Sequence, residues 1–521
     1  MIDYKTTSIC PHCLKTIPAH VFERDGKVWI AKTCKDCGED FEDIYWSDAQ
    51  SYAEYEEMQT KGLGIETDIQ QSKGCPQDCG LCTEHQTRTV LAVMDLTNNC
   101  NFRCPVCFAN AAKAGYLYEP SFEQIEAMLH SLRAQRPWPV ENILLSGGEP
   151  TVHPRIFDIL RLTEKLGFTW RAAATNGLKI ARSLDFTMKL KEAGMNSVYL
   201  QFDGLTPEVY KKFRGFNALN IKKKAIEHCR EADLLVVLVP TVIRGANDDQ
   251  IGDIVDFAFE NIDIIRAVNF QPVAFTGRIS KSELQENRIT IPDIMKLAEE
   301  QTNGKIKAEN WHPIPFVTPF EELLGLLYNS NMPITSVNSH CGAGAYLFKK
   351  GDTYTPIDNF GDVHLAREII VKELERHKKR GWAKNLRTKL SLLRQANRAI
   401  NWKEVPEYFA LKQILKTQLL KNQTTVTSDE LRRNFLFIGS MHFMDPYNFD
   451  TSRVQKCCIH YIVPDGRTIP FCSYNSIHRP IIEKQYQIPF DATVIDQDEE
   501  IMEAETDEEA ATEHKISTKL A

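Results

Sequence analysis

The sequence lacks long apolar runs. None of its 521 residues belongs to a stretch approaching the roughly 20 consecutive apolar residues that a membrane-spanning helix needs, so a transmembrane protein is excluded. The first residues, MIDYKTT, lead into no apolar run with a small-residue cleavage site. No secretory signal is visible, and we expect a cytoplasmic protein.

The sequence also has little excess charge outside one short segment. The formal net charge is −8, from 62 basic and 70 acidic residues, and residues 496–521 alone carry ten acids against two lysines. That segment has too little apolar content to fold by itself, so we predict a disordered acidic tail over residues 491–521. The rest of the chain is balanced and carries no groove-reading motif, which argues against nucleic acid as a partner.

One body segment, residues 366–400, is strongly basic. Leucines and Trp382 recur in it near helical spacing, which predicts one or two amphipathic helices with a cationic face. The bland interpretation is a solvated helix face packed on the core. The sharper one is contact with anionic headgroups, peripherally at a membrane surface. The cations are Arg376, Lys378, Lys379, Arg380, Lys384, Arg387, Lys389, Arg394 and Arg398.

Cysteine is abundant, with 15 residues that mostly stand two or three positions apart. A reducing compartment disfavours disulfides, and this spacing suits shared metals better than bridges. Near the N-terminus two CxxC knuckles, Cys10 with Cys13 and Cys34 with Cys37, flank the β-like stretch VFERDGKVWIAKT. Four thiolates so placed predict a tetrahedral site for one Zn or one rubredoxin-type Fe.

Two further segments share the spacing Cys-x3-Cys-x2-Cys. Three thiolates on one loop can hold three irons of a [4Fe-4S] cluster and leave the fourth iron open. The first segment comprises Cys75, Cys79 and Cys82, with His85 nearby as a further ligand candidate; the second comprises Cys100, Cys104 and Cys107. Cys341, Cys457, Cys458 and Cys472 supply enough thiolates for another cluster, whereas Cys229 is predicted to be a core residue.

Strands and helices alternate after residue 89. The alternation predicts βαβ units, a parallel sheet, and a partial or complete barrel with its site at the carboxyl ends of the strands. The predicted strands are 90–97, 142–145, 169–174, 197–202, 234–242 and 265–270, and the predicted helices are 121–134, 155–166, 184–193, 218–230 and 249–259. Beyond about residue 290 the pattern becomes helical, before a short β-rich stretch around Cys472.

Cys100, Cys104 and Cys107 after the first strand, with Gly147-Gly148-Glu149 after the second, resemble the radical S-adenosylmethionine (SAM) superfamily. The resemblance implies a partial (β/α)6 barrel and a [4Fe-4S] cluster whose open iron chelates SAM. It also implies reductive cleavage of SAM to a 5'-deoxyadenosyl radical, which removes hydrogen from an unactivated carbon. Each cleavage consumes an electron, so a low-potential donor such as a ferredoxin is implied as a partner.

The same resemblance assigns a cofactor cradle. Gly147 and Gly148 would let the backbone approach the methionine part of SAM, and Glu149 would accept from its ammonium group. The other implied cradle residues are Thr175 and Asn176 after the third strand, Gln201 and Asp203 for the ribose, and Thr241 with Arg244 after the fifth strand. Val106 stands where this superfamily usually has an aromatic residue.

The whole cysteine layout closely resembles the archaeal tetraether lipid synthase (glycerol dibiphytanyl glycerol tetraether synthase) family. That resemblance implies carbon-carbon coupling of the terminal methyls of archaeal diether phospholipids to give tetraether (GDGT) membrane lipids. It also implies about two auxiliary [4Fe-4S] clusters beside the mononuclear site. The expected fold class is α/β: a radical SAM barrel with an N-terminal rubredoxin-like metal domain and a C-terminal auxiliary iron-sulfur cluster domain.

The resulting division of the chain has six parts. They are a rubredoxin-like or zinc-ribbon-like domain at 1–50, an auxiliary cluster segment at 51–88, the partial barrel at 89–290, a helical basic region at 291–430, a C-terminal auxiliary cluster region at 431–490 and the tail at 491–521.

Two other functions compete with lipid coupling. The first is radical SAM methylation of a dihydropterin precursor in the methanopterin pathway, an activity ascribed to close relatives. Such a site would need stacking aromatic rings and paired amide hydrogen bonds, which the sequence alone does not locate. The second is an iron-sulfur electron carrier or a zinc-ribbon interaction module. The Gly-Gly-Glu motif argues against a carrier, which has no use for an open iron and a methionine site.

Overall fold

The computed structural model describes residues 1–62, 64–67, 72–111, 113–278, 288–328, 336–406 and 434–489. The acidic tail predicted at 491–521 lies outside these ranges. Within them, none of the helices combines the length and the apolar character that crossing a membrane requires.

The N-terminal unit is a four-stranded antiparallel sheet. Its strands, β1 (Asp3–Ile9), β2 (Thr16–Arg24), β3 (Lys27–Cys34) and β4 (Glu39–Trp46), pair in chain order, and α1 (Ala49–Glu56) follows them. Alternate residues of β2 and β3 are buried, as expected of a sheet with one face on a core. The turns after β1 and β3 each carry one CxxC knuckle.

The central unit alternates strands and helices. Its strands are β5 (Leu91–Thr97), β6 (Leu117–Tyr118), β7 (Asn142–Gly147), β8 (Trp170–Thr175), β9 (Ser197–Gln201), β10 (Leu235–Val239), β11 (Thr241–Val242) and β12 (Ile265–Pro272). Its helices are α2 (Phe122–Ala134), α3 (Ile156–Lys165), α4 (Leu178–Arg182), α5 (Leu184–Glu192), α6 (Pro207–Arg214), α7 (Leu219–Glu231) and α8 (Ile251–Glu260). Strands β5, β7, β8, β9, β10 and β12 pair in parallel in that order, so the predicted partial barrel is confirmed.

Apolar periodicity explains this unit. The α3 residues Ile156, Ile159 and Leu160 are buried on one face of the helix, and Ala92, Met94 and Leu96 of β5 are buried on one side of the sheet. The predicted strand 234–242 is interrupted between β10 and β11 at Pro240. Proline has no N–H to donate to a neighbouring strand. Its carbonyl oxygen still accepts from Gln271 N at 2.8 Å.

The C-terminal part extends the same sheet at both edges. It contains α9 (Ile291–Gln301), β13 (His312–Pro313), α10 (Thr318–Tyr328), β14 (Gly342–Lys350), β15 (Thr353–Pro356), α11 (Val363–Lys379), α12 (Lys384–Ala399), β16 (Phe435–Met441), α13 (Thr451–Gln455), β17 (Ile459–Ile462), β18 (Thr468–Pro470), α14 (Phe471–Ser473), the π-helix Tyr474–His478, α15 (Arg479–Gln485) and β19 (Gln487–Ile488). Strand β16 lies parallel to β12, and β17 lies parallel to β5. The chain therefore passes from one edge of the half-barrel to the other between residues 442 and 458.

Buried ion pairs fix the N-terminal sheet against that crossing segment. Arg288 Nη1 lies 2.8 Å from Asp445 Oδ2 and also pairs with Asp43 of β4, and all three side chains are buried. Lys32 of β3 donates to the Pro446 carbonyl at 2.6 Å. Removing one partner of this buried set would leave a buried charge unpaired. These contacts therefore fix the position of the N-terminal sheet against the crossing segment.

The basic segment forms the two helices α11 and α12. Trp382, between them, is 89% exposed, and Leu386 and Leu390 are also exposed. The buried Glu373 accepts from Arg376 and forms an ion pair with Arg380, and Lys378 pairs with Glu322. These pairs engage part of the cationic face within the chain.

Candidate active site

A cavity of about 250 Å³ lies inside the half-barrel, and the cysteine loop after β5 lies at one end. Inward-facing residues alternate along the strands that line it, as Leu91 and Val93 do on β5 and Tyr199 and Gln201 do on β9. Because the strands are parallel, their carboxyl ends bring the candidate cradle residues to one rim.

Cys100, Cys104 and Cys107 all line this cavity. In the part of the chain that the structure describes, the sulfurs of these three cysteines do not all lie within 4.8 Å of one another, as the sulfurs of the four N-terminal cysteines do. They are therefore too far apart to hold a single ion in the present geometry. Three thiolates on one loop can hold three irons of a [4Fe-4S] cluster. Burial raises the pKa of the Cys100 and Cys104 thiols, and a bound cation would reverse this by deprotonating them.

Gly147 and Gly148 are required by the chain itself. A Cβ on Gly147 would lie 2.1 Å from the Thr97 carbonyl oxygen, and one on Gly148 would lie 2.1 Å from the Asn99 carbonyl oxygen. Gly147 also has a φ of +125°, which side-chain-bearing residues rarely adopt. Because neither glycine has a side chain, the turn after β7 packs directly against the backbone that leads into the cysteine loop. Gly148 N donates to Thr97 O at 2.7 Å.

Glu149 is 1% exposed and links the ends of two strands. Its Oε1 accepts from the Thr151 hydroxyl at 2.5 Å and from Thr175 Oγ1 at 2.7 Å, and its Oε2 accepts from Asn176 N at 2.7 Å. Burial raises the pKa of this carboxyl, and the donors oppose that rise. The carboxylate is therefore already bonded within the chain, and its contact with a SAM ammonium remains a prediction.

Lys222 of α7 joins the ends of β8 and β9 by two hydrogen bonds. Its ammonium donates to the Asn176 carbonyl at 2.5 Å and to Gln201 Oε1 at 3.1 Å. Asn176 Nδ2 in turn donates to Asn101 Oδ1 at 2.7 Å, which ties the cradle to the cysteine loop. Burial lowers the pKa of Lys222 to about 8. Asn176 and Gln201 both face the cavity with their orientation fixed by these partners.

Asp203 and Arg244 lie apart from the cavity wall, unlike Thr241, which lines it. Asp203 is fully buried and forms a bidentate pair with Arg214, at 2.7 Å and 2.6 Å. Arg244 turns outward, where it pairs with Asp293 at 2.8 Å. The ribose role implied for Asp203 remains a prediction, and the carboxylate already has a charged partner in the chain.

The first CxxxCxxC segment lines a separate small cavity together with C-terminal residues. Cys75, Cys79, Cys82 and His85 face it from one side, with Val454 and Pro470 on the other. His85 Nε2 lies 2.9 Å from the Cys457 carbonyl oxygen and 3.1 Å from His460 Nε2. Burial lowers the pKa of His85 to about 4, so the ring is neutral at neutral pH.

The C-terminal cysteines contact other C-terminal residues and β5. Cys341 Sγ lies 3.6 Å from Arg453 Nη2, and Met444 N donates to Cys472 Sγ at 3.3 Å. Cys457 and Cys458 precede β17, where Cys458 O accepts from Leu91 N of β5 at 3.2 Å. Cys458 and Cys472 therefore lie next to Leu91 and Met444, which line the cavity. Cys229 is buried in the core, as predicted.

The N-terminal knuckles form a compact thiol group. The sulfurs of Cys10, Cys13, Cys34 and Cys37 all lie within 4.8 Å of one another, and the Cys10–Cys37 and Cys13–Cys34 sulfur pairs are 3.8 Å apart. Four thiols converging at this spacing fit one tetrahedral ion.

Sequence reasoning missed several residues of the site. Arg214 and Lys222 stand in ordinary amphipathic helices, and only the fold shows that they point at the barrel. The aromatic residues Phe443, Tyr461 and Phe471 line the same cavity as the cradle residues, although they are far from them in sequence. The run of β-type residues after residue 459 indicated a strand, but the sequence did not show which strand it pairs with.

Comparison with known proteins defines the class. Residues 94–258 match the Radical SAM superfamily, and residues 2–47 match the HMPTM N-terminal zinc ribbon domain. The protein is a radical SAM enzyme with an N-terminal zinc ribbon. This class implies SAM and a [4Fe-4S] cluster as cofactors and a reductant as partner, and the ribbon thiols fit a mononuclear metal.

The chain is 44% identical over 494 residues to the 7,8-dihydro-6-hydroxymethylpterin dimethyltransferase of Methanocaldococcus jannaschii, an alignment that covers 94% of this chain and 97% of the relative. It belongs to the family of that relative. A probable GTP 3',8-cyclase of Thermococcus kodakarensis is 29% identical over 34% of this chain and 56% of its own length. The solved structure of Streptococcus suis SuiB bound to S-adenosylmethionine covers 42% of this chain and 47% of its own, with 19% identity and a TM-score of 0.32.

This family membership corrects the leading expectation from the sequence. The tetraether lipid synthase assignment is wrong, because the relative that matches almost the whole chain is named for a dihydropterin. The diether phospholipid substrate loses its support with that assignment, as does a lipid role for the basic helices. The substrate prediction was wrong because the cysteine layout specifies metal sites and carries no information about the substrate.

Proposed function

We propose that this protein is a radical SAM methyltransferase that acts on 7,8-dihydro-6-hydroxymethylpterin or a closely similar dihydropterin. The near full-length relationship to the M. jannaschii dimethyltransferase supports the substrate class. The observation that carries the proposal is the composition of the cavity wall next to the three cysteines of the second CxxxCxxC motif.

That wall combines aromatic rings with amide side chains. Phe443 and Phe471 are stacked with centroids 4.1 Å apart and an interplanar angle of 24°, and Tyr461 lies beside Phe471. Gln271 and Asn475 bring amide groups to the same cavity. A pterin has flat faces that pack on aromatic rings and a polar edge that pairs with amides. This is the combination of groups that a pterin site needs.

Tyr461 and Asn475 are held in place from behind by Arg479. The guanidinium donates to Asn475 Oδ1 at 3.0 Å and to the Tyr461 hydroxyl at 3.2 Å. Arg479 pairs in turn with Asp95 at 2.6 Å and Glu483 at 3.1 Å, and all three side chains are buried. Because both wall residues have fixed partners, their polar groups are preorganised for one ligand orientation.

In the proposed enzyme, SAM bound to the cluster supplies a carbon radical that can remove a hydrogen atom from an unactivated carbon. Cys100, Cys104 and Cys107 would hold the cluster, and the turn at Gly148 with Thr175, Asn176, Gln201 and Thr241 would bind SAM. The aromatic wall would hold the pterin opposite and keep water away from the reacting carbon.

We further propose that two other sets of cysteines hold auxiliary clusters. Cys75, Cys79 and Cys82 supply three thiolates around the small cavity next to His85. The second set comprises Cys341, Cys457, Cys458 and Cys472, of which Cys458 and Cys472 adjoin the cavity-lining residues Leu91 and Met444. Both sets would relay electrons from a low-potential donor.

The test is anaerobic turnover of the reconstituted full chain with dithionite, 7,8-dihydro-6-hydroxymethylpterin and SAM deuterated at its methyl group. We expect pterin products heavier by one and then two methyl groups in the mass spectrum, and the deuterium content shows whether SAM is the methyl source. The matched variants are Phe471→Ala and Phe168→Ala, of which only Phe471 faces the cavity. Pterin recovered unchanged by a protein that still cleaves SAM would overturn the proposal.

A further inference from the structure

Phe471, Asn475 and Arg479 follow one another at intervals of four residues in the C-terminal helical segment. Asn475 belongs to the π-helix Tyr474–His478 and, like Phe471, lines the cavity. Its Nδ2 donates to the Phe471 carbonyl at 3.0 Å, and its Oδ1 accepts from Arg479 Nε at 3.0 Å. An acceptor on one side and a donor on the other fix the orientation of the amide. π-helical turns are rare and occur frequently at functional sites.

The same guanidinium also fixes the Tyr461 hydroxyl. Arg479 Nη2 donates to the Tyr461 oxygen at 3.2 Å, beside the bond from its Nε to Asn475. The N–H groups of a guanidinium fork are parallel, so they hold these two oxygens side by side. Because the Tyr461 oxygen accepts in this bond, its own hydrogen is left to donate, and the Asn475 oxygen has a second lone pair with which to accept.

Asn475 and Tyr461 therefore offer a ligand one acceptor and one donor next to each other. A 4-oxopterin carries the complementary groups on its lactam edge, where the ring N3–H donates and the C4 carbonyl accepts. In a 4-aminopteridine this edge is reversed, because N3 carries no hydrogen and the C4 amino group donates. The stacked rings of Phe443 and Phe471 suit the flat faces of both compounds, so only the polar pair can tell them apart.

We propose that Asn475 and Tyr461 are specificity-determining residues that read the lactam edge of the substrate. Asn475 Oδ1 accepts from the ring N3–H, and the Tyr461 hydroxyl donates to the C4 carbonyl. This assignment rests on the proposed function, since it takes a dihydropterin as the ligand. A site built to hydrogen-bond one edge of a ligand rejects an analogue that cannot pair, because polar groups of the site are then left without partners.

The test is anaerobic calorimetric titration of the full reconstituted chain, with SAM present and no reductant, so that binding is measured without turnover. The two ligands are 7,8-dihydro-6-hydroxymethylpterin and the compound in which an amino group replaces its 4-oxo group. The variants are Asn475→Leu and Tyr461→Phe. The control is Ser476→Ala, at a position in the same π-helix that does not line the cavity.

We expect the wild type and Ser476→Ala to bind the 4-oxo compound at least about tenfold more tightly than the 4-amino compound. Each cavity variant should weaken binding of the 4-oxo compound by about threefold to tenfold, the effect of one hydrogen bond, and leave binding of the 4-amino compound nearly unchanged. An unchanged preference in both variants would overturn the proposal. If Asn475→Leu fails to fold, Tyr461→Phe decides alone, because it keeps the ring that stacks on Tyr474.

The same titrations separate this proposal from the proposed function. A wild type that methylates the pterin but binds the two compounds equally would overturn the assignment of Asn475 and Tyr461 alone. A wild type that binds neither compound would overturn the proposed function as well.

Discussion

Thr175 Oγ1 at the end of β8 lies 2.7 Å from Glu149 Oε1 just beyond β7, so one buried carboxylate joins the ends of two adjacent barrel strands. The same carboxylate reaches Asn176 N, and Asn176 reaches the cysteine loop through Asn101. The Gly-Gly-Glu motif therefore orders the rim of the site, in addition to any contact with SAM.

Replacing Glu149 with glutamine tests this ordering role. The amide would turn an NH2 group towards donors that now bond to a carboxylate, so we expect the free energy of unfolding to fall by about 1–3 kcal/mol and SAM affinity to fall as well. Chemical denaturation and equilibrium dialysis with labelled SAM measure the two effects. Glu227→Gln, at an exposed position on α7, is the control. Unchanged stability with lost SAM affinity would show that Glu149 acts on the ligand alone.

The close approach at Gly148 makes a second prediction. Gly148→Ala would place a methyl group 2.1 Å from the Asn99 carbonyl oxygen, so the turn must move and the cysteine loop with it. We expect about 1–3 kcal/mol of destabilisation and reduced iron in the SAM-cleaving cluster after reconstitution. Gly381→Ala has nothing within 4 Å of the new methyl group and should retain full iron content. Equal iron content in the two variants would refute the packing argument.

Lys222 predicts a pH dependence of stability. Burial lowers its pKa from 10.5 to about 8 in the folded chain, so the folded protein releases this proton near pH 8 and the unfolded chain near pH 10.5. Between those values the unfolded state binds more protons, and the contribution of this group to the free energy of unfolding rises with pH, by roughly 3 kcal/mol in total.

The measurement is chemical denaturation of wild type and Lys222→Met at several values from pH 7.5 to pH 10. The difference between the two proteins removes the contribution of all other groups. We expect the wild type to gain stability relative to the variant as pH rises. Parallel profiles would mean that Lys222 keeps an ordinary pKa.

We expect metal loss from the four-thiol site to weaken the contact between the N-terminal sheet and the crossing segment. Cys34→Ser removes a buried ligand of the four-thiol group, so we expect the loss of one metal ion per chain by elemental analysis and a lower thermal midpoint. Since Arg288 and Lys32 tie this sheet to residues 445 and 446, the effect should extend to increased hydrogen exchange in the crossing segment. Cys229→Ser, at a buried cysteine outside the ribbon, should leave the metal content unchanged.

The sequence specified the central unit well, because each barrel strand and helix carries its own apolar periodicity. Helix 121–134 was predicted and Phe122–Ala134 is observed, and strand 169–174 corresponds to Trp170–Thr175. The thiol clusters were equally visible, since metal ligands of one loop stand close together in sequence.

Pairings across the chain were not visible in the same way. The bond between Asp203 and Arg214 and the outward turn of Arg244 depend on where α6 and α9 pack, which local pattern does not encode. The cavity is lined by Phe443 and Phe471, which follow β16 and β18, and β16 and β17 are strands added at the two edges of the central parallel sheet. A substrate is recognised by such long-range surfaces, and for that reason the motifs predicted the radical SAM class correctly while the expected coupling of lipid tails was wrong.

We propose that the cavity accepts a dihydropterin. The most direct measurement offers the reconstituted enzyme 7,8-dihydro-6-hydroxymethylpterin or an archaeal diether phospholipid in separate reactions with SAM and reductant, and follows 5'-deoxyadenosine and product mass together. We predict that the pterin stimulates SAM cleavage and gains methyl groups, and that the lipid does neither. Stimulation by the lipid with joined lipid tails, and a pterin recovered unchanged, would contradict the account.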